Sequence, residues 1–231
     1  MKPERVQALV VLAACCLVVA GCGVNKSIHI ADGETVNSGQ TTVNGSVRIG
    51  AGCEVRGSCQ TVNGKVTVGA GSKVGGLRTV NGSVTIADDV AVDDDVGTVN
   101  GSIRLAENVS VGGDVETVNG SIACDAGSTI GDDVSTVNGS IQLARTEVGG
   151  SLTTVNGSVE LTDHSRVAGD VIIKGKNRRG ARKKDIEITI ADGSVVEGDV
   201  IVRDSKRQVT VTLSGGGQVK GEIRNAKVVE E

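Results

Sequence analysis

The 231-residue chain contains no phenylalanine, tyrosine or tryptophan, and only one proline, one methionine and two histidines. Without aromatics it lacks the side chains from which an ordinary globular core of this size takes much of its buried area. The same absence removes the flat surfaces on which bases stack, which argues against nucleic acid as a partner. Enzymes that act on polysaccharide usually need such platforms for sugar rings, so that class is disfavoured as well. Neither His29 nor His164 stands beside a nucleophile pattern or a metal-ligand pattern. No catalytic residue, metal or cofactor is expected. The net charge of −4 is too mild to point to any partner.

What the chain has is glycine, 34 residues of it, and a repeat. Thr-Val-Asn-Gly occurs seven times, with asparagines at Asn44, Asn63, Asn81, Asn100, Asn119, Asn138 and Asn156, spaced by 19, 18, 19, 19, 19 and 18 residues. A period that steady marks a solenoid, in which each repeat buries its apolar side only by stacking on its neighbours. The core must then be Val, Ile and Leu, and β-branched side chains suit a pleated surface.

One repeat, residues 98–116, reads TVNGSIRLAENVSVGGDVE. Ile103 and Leu105, Val109 and Val111, and Val115 running into Thr117 alternate with polar neighbours, and Asn-Gly-Ser, Ala-Glu-Asn and Gly-Gly-Asp separate the three runs. This predicts an all-β, single-stranded parallel β-helix with three-sided coils of 18–19 residues and glycine-bearing corners. The solenoid is expected over 28–223. Regular repeats occupy 42–172 and degenerate coils 186–223, with 224–231 as a C-terminal tail. About ten coils at strand spacing make a rod of roughly 45 Å.

Where the motif is replaced, Ile173 and Val202 take the Thr position and Lys174 and Arg203 take the Val position. Charge belongs outside, so the motif threonine is expected to point inward and its valine outward. Val43, Val62, Val80, Val99, Val118, Val137 and Val155 would then form an exposed apolar stripe about 30 Å long, a candidate interaction surface for a second rod or another envelope component. The asparagines, two residues after each Thr, are expected inward, stacked amide on amide.

The N-terminus gives an address. Lys2 and Arg5 precede an apolar stretch from Val6 to Ala20, too short for a comfortable membrane span. Val19-Ala20-Gly21-Cys22 closes it and resembles the lipobox of bacterial lipoproteins. The resemblance implies a signal peptide over 1–21, lipidation of Cys22, and a tether over 22–27. It also implies export to the cell envelope, and the outer membrane in a Gram-negative cell. A plain signal peptide or a single anchoring helix is the alternative.

Three further groups draw notice. The segment 174–184 carries Lys174, Lys176, Arg178, Arg179, Arg182, Lys183 and Lys184 and reads as a basic loop, running to 185, that breaks the coil rhythm. Its expected partner is anionic lipid or acidic polysaccharide, against a plain solvated loop. Cys53, Cys59 and Cys124 fall at inward positions. A bridge between Cys53 and Cys59 across the lumen and free thiols used as apolar filler are both open. Asp95, Asp114 and Asp133 form a corner column, read as satisfying local backbone donors rather than binding Ca²⁺.

Gly-Asp-Val corners at Gly113-Asp114-Val115, Gly169-Asp170-Val171 and Gly198-Asp199-Val200 resemble those of bactofilins and other polymer-forming β-helix proteins. The Thr-Val-Asn-Gly-Ser units look like the adhesin-like β-solenoid repeats of bacterial envelope proteins. The resemblance implies a scaffolding role without nucleotide, although bactofilins are cytoplasmic and this chain carries an export signal. The expectation is a lipid-anchored envelope module with a scaffold, polymer-forming or adhesin-like role, and with a homo-oligomer or an envelope component as partner. The competing reading is a binder of a repetitive surface, ice or polysaccharide, through a regular Thr/Asn face. A β-helix enzyme acting on polysaccharide comes third.

Overall fold

The computed structural model describes residues 25–175, 185–203 and 207–231. Among these there are strands and turns but no helix. Three parallel sheets run along the molecule. Sheet 1 has eleven strands beginning with Ile28–Ile30, sheet 2 has ten beginning with Thr35–Val36, and sheet 3 has ten beginning with Gln40–Thr42. The chain visits the sheets in turn, so each strand pairs with its counterpart one coil below and one coil above. This is a three-sided parallel β-helix of about ten coils.

The register follows from the repeat. Ile103, Arg104 and Leu105 lie opposite Ile122, Ala123 and Cys124 in sheet 1. In sheet 3, Val96, Thr98 and Asn100 lie opposite Val115, Thr117 and Asn119. Register is weakly specified where strands are flat, polar on both faces or rich in glycine. Here a slip by one residue would turn a continuous aliphatic column outward and break every corner, so the register is strongly specified. Ile103, Leu105, Val109, Val111, Val115 and Thr117 are all at most 3% exposed. The same positions form one apolar core from Ile30 to Val211.

The three corners are built differently. Between sheets 1 and 2 the backbone enters the left-handed region, as at Asn108 (φ 56°) and Gly127 (φ 78°). Asn and Gly tolerate that conformation, and most residues do not. Between sheets 2 and 3 an aspartate side chain ties one coil to the next. Asp95 Oδ1 accepts the Asp114 backbone N–H at 3.1 Å, and Asp114 Oδ1 that of Asp133 at 2.9 Å. Asp133 and Asp170 continue the column to Ser151 and Asp199. The third corner, between sheets 3 and 1, is the Asn-Gly of the repeat.

Both ends differ from the sequence expectation. Residues 224–231 are not simply a tail, because Lys227–Glu230 forms the eleventh strand of sheet 1, paired with Val209–Leu213. At the other end Asn25, Lys26 and Ser27 stack beneath Asn44, Gly45 and Ser46, so the segment assigned to the tether closes on a partial repeat. The residues assigned to the signal peptide, with Cys22, lie outside the described residues.

Candidate functional site

Among the described residues the Thr-Val-Asn-Gly column recurs through most of the rod. Its threonines point inward, all at 4% exposure or less. Six of their hydroxyls donate across the coil interface to a backbone carbonyl below. Thr98 Oγ1 reaches Gly82 O at 2.8 Å, and Thr117 Oγ1 reaches Gly101 O at 2.9 Å. The corner glycine is therefore an acceptor, and it must also be small. A methyl group on Gly101 would overlap the carbonyl oxygen of Gly82, and the same overlap recurs at Gly120 and Gly139. None of these glycines has a positive φ. Close stacking, not backbone freedom, excludes other residues here.

The asparagines form a ladder, but outside rather than in the lumen. All seven are exposed. Each Nδ2 donates to the Oδ1 one coil below: Asn63 to Asn44 at 2.7 Å, Asn100 to Asn81 at 2.9 Å, Asn156 to Asn138 at 2.8 Å. Strand alternation would carry them inward, but the chain bends at the asparagine and alternation ends at the preceding valine. Asn25 forms the lowest rung, accepting from Asn44 at 2.8 Å.

The upper end has a cap that sequence reasoning missed. Asn63, Asn138 and Asn156 each donate twice to the coil below, by the backbone N–H to a valine carbonyl and by the amide to an asparagine Oδ1. Asn156 does so to Val137 O and to Asn138 Oδ1, both at 2.8 Å. The next coil has no asparagine. Arg207 supplies both bonds instead, through Nη1 to Val155 O and through Nη2 to Asn156 Oδ1 at 2.8 Å. It comes from 51 residues further along the chain, so no spacing could have revealed it. Asn25 was legible: it lies 19 residues before Asn44, one period of the repeat.

The valine stripe is narrower than expected. Val43, Val62, Val80, Val99 and Val118 are half-buried on the outer face of sheet 3, while Val137 and Val155 are buried at 7% exposure each. Stacked valines cover one another at strand spacing, and Arg207 lies against the Val155 backbone. The partly exposed run therefore spans four coil steps, about 19 Å.

Thr154 departs from its column. Its hydroxyl is fully buried and has no hydrogen-bond partner, and the residues stacked above it are Ile173 and Val202. An unmade buried hydrogen bond costs about 1–3 kcal/mol. Thr154→Val is therefore expected to stabilise the protein by about 1 kcal/mol, whereas Thr98→Val, which strips a donor from Gly82 O, destabilises it by about as much. Denaturant midpoints at unchanged slope check both, and a shared sign for the two variants would contradict this account.

The remaining candidates are quickly placed. Cys53, Cys59 and Cys124 are free and buried, so the structure contains no Cys53–Cys59 bridge. The Cys53 thiol donates instead to Ala31 O at 3.0 Å from its corner, while Cys59 begins a sheet 3 strand. Burial pushes the Cys59 thiol up to about 11 and that of Cys124 to about 12, so both stay protonated and inert at neutral pH. The corner aspartates are engaged by backbone donors. Among the described residues no group of three or more His, Cys, Asp or Glu could hold a metal ion. Glu197 sits under Lys220 (2.8 Å) and Arg166 (3.0 Å), whose hydrogen bonds hold its carboxyl below the ordinary value. Of the basic loop, Lys174 continues the coil, its N–H donating to Thr154 O at 2.7 Å. Lys176, Arg178, Arg179, Arg182, Lys183 and Lys184 lie outside the described residues. No family model, curated protein or solved structure matches the chain.

Proposed function

We propose that this protein is a lipid-anchored, non-catalytic structural and interaction module of the cell envelope, whose working surface is the outer face of sheet 3. The observation that supports it most is the repetition of one Val-Asn pair over successive coils, from Val43-Asn44 to Val118-Asn119. It sets a half-buried apolar row beside a hydrogen-bonded amide row. A second rod, or another straight envelope component, offers the matching geometry for such a row. The export and lipidation reading rests on the signal-like stretch ending at Cys22. The basic segment 174–184 would add attraction to anionic lipid or acidic polysaccharide, at about 1 kcal/mol per cation near a charged leaflet.

The reading as a binder of ice or another lattice needs threonine outward. All seven motif threonines are buried, and the asparagines that do face outward bond to one another.

The test uses the mature chain without lipid. Wild-type protein is expected to self-associate in sedimentation and to appear as paired rods or filaments in electron micrographs. Changing Val43, Val62, Val80, Val99 and Val118 together to threonine is expected to abolish this while the melting transition persists. Monodisperse wild-type rods that match the variant would refute association of copies through this face. In cells, Cys22→Ser should release the protein from the membrane fraction and remove its acyl label.

A further inference from the structure

Above Asn25 the ladder consists of seven Asn-Gly dipeptides, the pair in which a backbone nitrogen is least shielded by its own side chain, because glycine has none. We propose that Asn156–Gly157 is a self-modification site, at which the chain converts the Asn156 amide to a carboxylate with water as the only co-reactant. The Gly157 nitrogen attacks Asn156 Cγ, forming a C–N bond. The proton of the Gly157 N–H passes to the departing nitrogen as the Cγ–Nδ2 bond breaks, and ammonia leaves behind a five-membered imide. Water then adds to either imide carbonyl and cleaves its C–N bond, giving aspartate or isoaspartate. The net change is amide plus water to carboxylate plus ammonium, with no change of oxidation state.

Two independent features single out this position. The first is the attacking nitrogen. The N–H groups of Gly82, Gly101 and Gly120 each donate to the asparagine carbonyl one coil above, at 3.1 Å, so attack at Asn81, Asn100 or Asn119 must first break that bond. The Gly157 N–H has no partner among the described residues, and neither do those of Gly45, Gly64 and Gly139. The second is the oxygen on which negative charge develops. At the other six positions Oδ1 accepts from a neutral amide, as Asn100 does from Asn119 at 2.8 Å. At Asn156 it accepts from the Arg207 guanidinium at 2.8 Å, whose Nε is buried without a partner. A cationic donor aimed at a developing oxyanion lowers the barrier more than a neutral amide does. Only Asn156 combines a free nucleophile with a charged electrophilic partner. The new carboxylate keeps Arg207 in a charge-assisted bond, which offsets the loss of the Nδ2 donor to Asn138 Oδ1.

The purified chain is incubated folded at mildly alkaline pH, and the aspartate and isoaspartate at each Asn-Gly are followed by peptide mapping. Asn156 is expected to convert first, Asn44, Asn63 and Asn138 next, and Asn81, Asn100 and Asn119 last. The first and last groups should differ on the order of tenfold or more. In denaturant all seven should convert alike. Arg207→Gln should slow Asn156 several-fold and leave Asn44 unchanged. Asn156→Asp, which keeps the Arg207 bond, should lower the melting temperature less than Asn100→Asp, which has no cationic partner. Conversion of Asn156 no faster than Asn100 in the folded chain overturns the proposal. Conversion at Asn156 that is unchanged or faster in Arg207→Gln overturns the role given to Arg207.

Discussion

Replacing Gly101 by alanine is expected to cost about 3 kcal/mol, although it adds a single methyl group to a surface corner. The added carbon would overlap the Gly82 carbonyl oxygen, and that oxygen belongs to the backbone, so no rotamer change relieves the clash. The oxygen also accepts from the Thr98 hydroxyl of the same coil as Gly101. The coils must therefore separate, which strains the Asn100-to-Asn81 rung at 2.9 Å and the bond from Gly82 N–H to Asn100 O at 3.1 Å. In a solenoid each coil contacts only its neighbours, so stability is close to a sum of coil and interface terms. A weakened interface near the middle of the rod should split denaturant unfolding into two transitions. Hydrogen exchange should rise first on either side of residue 101. A single transition at the wild-type midpoint would mean that the corner has slack that the stacking does not show.

Leu105→Ala is expected to cost about 3 kcal/mol as well, for the opposite reason. Leu105 is fully buried and stacked between Ile86 and Cys124. Removing its branched end leaves a cavity that the structure cannot collapse. The strands on all three sides are fixed in register by neighbouring coils, and there is no aromatic or long flexible side chain nearby to swing in. The control is Leu213→Ala near the end of the rod. That residue is only partly buried, so its loss should be less than half as large. Chemical denaturation of both variants decides the matter, and a cost below about 1 kcal/mol at Leu105 would show a loosely filled lumen.

The two variants isolate the two layers of this fold, and those layers were unequally readable in the chain. The lumen was legible because every inward residue obeys a local rule. Ile103, Leu105, Val109, Val111 and Val115 alternate with polar residues in one short window, and the motif repeats at a period that only stacking explains. Even the inward threonines could be deduced, from their replacement by Ile173 and Val202. The corners were less legible. The asparagine ladder was expected as a stack but assigned to the wrong side of the wall, because alternation was carried one residue past the bend. The motif glycine was legible only as a corner residue, and its role is to let two backbones touch.

The residues themselves determined that this chain coils, how many residues each coil takes, and which side chains fill the interior, because those properties depend on periodicity and on apolar side chains leaving water. Tertiary stacking alone decided that Arg207 stands in for the missing rung, that Thr154 is left without a partner, and how much of the valine row stays uncovered. Each of these depends on groups one to three coils apart in space and up to 52 residues apart in the chain. Contacts of that kind leave no mark on local pattern.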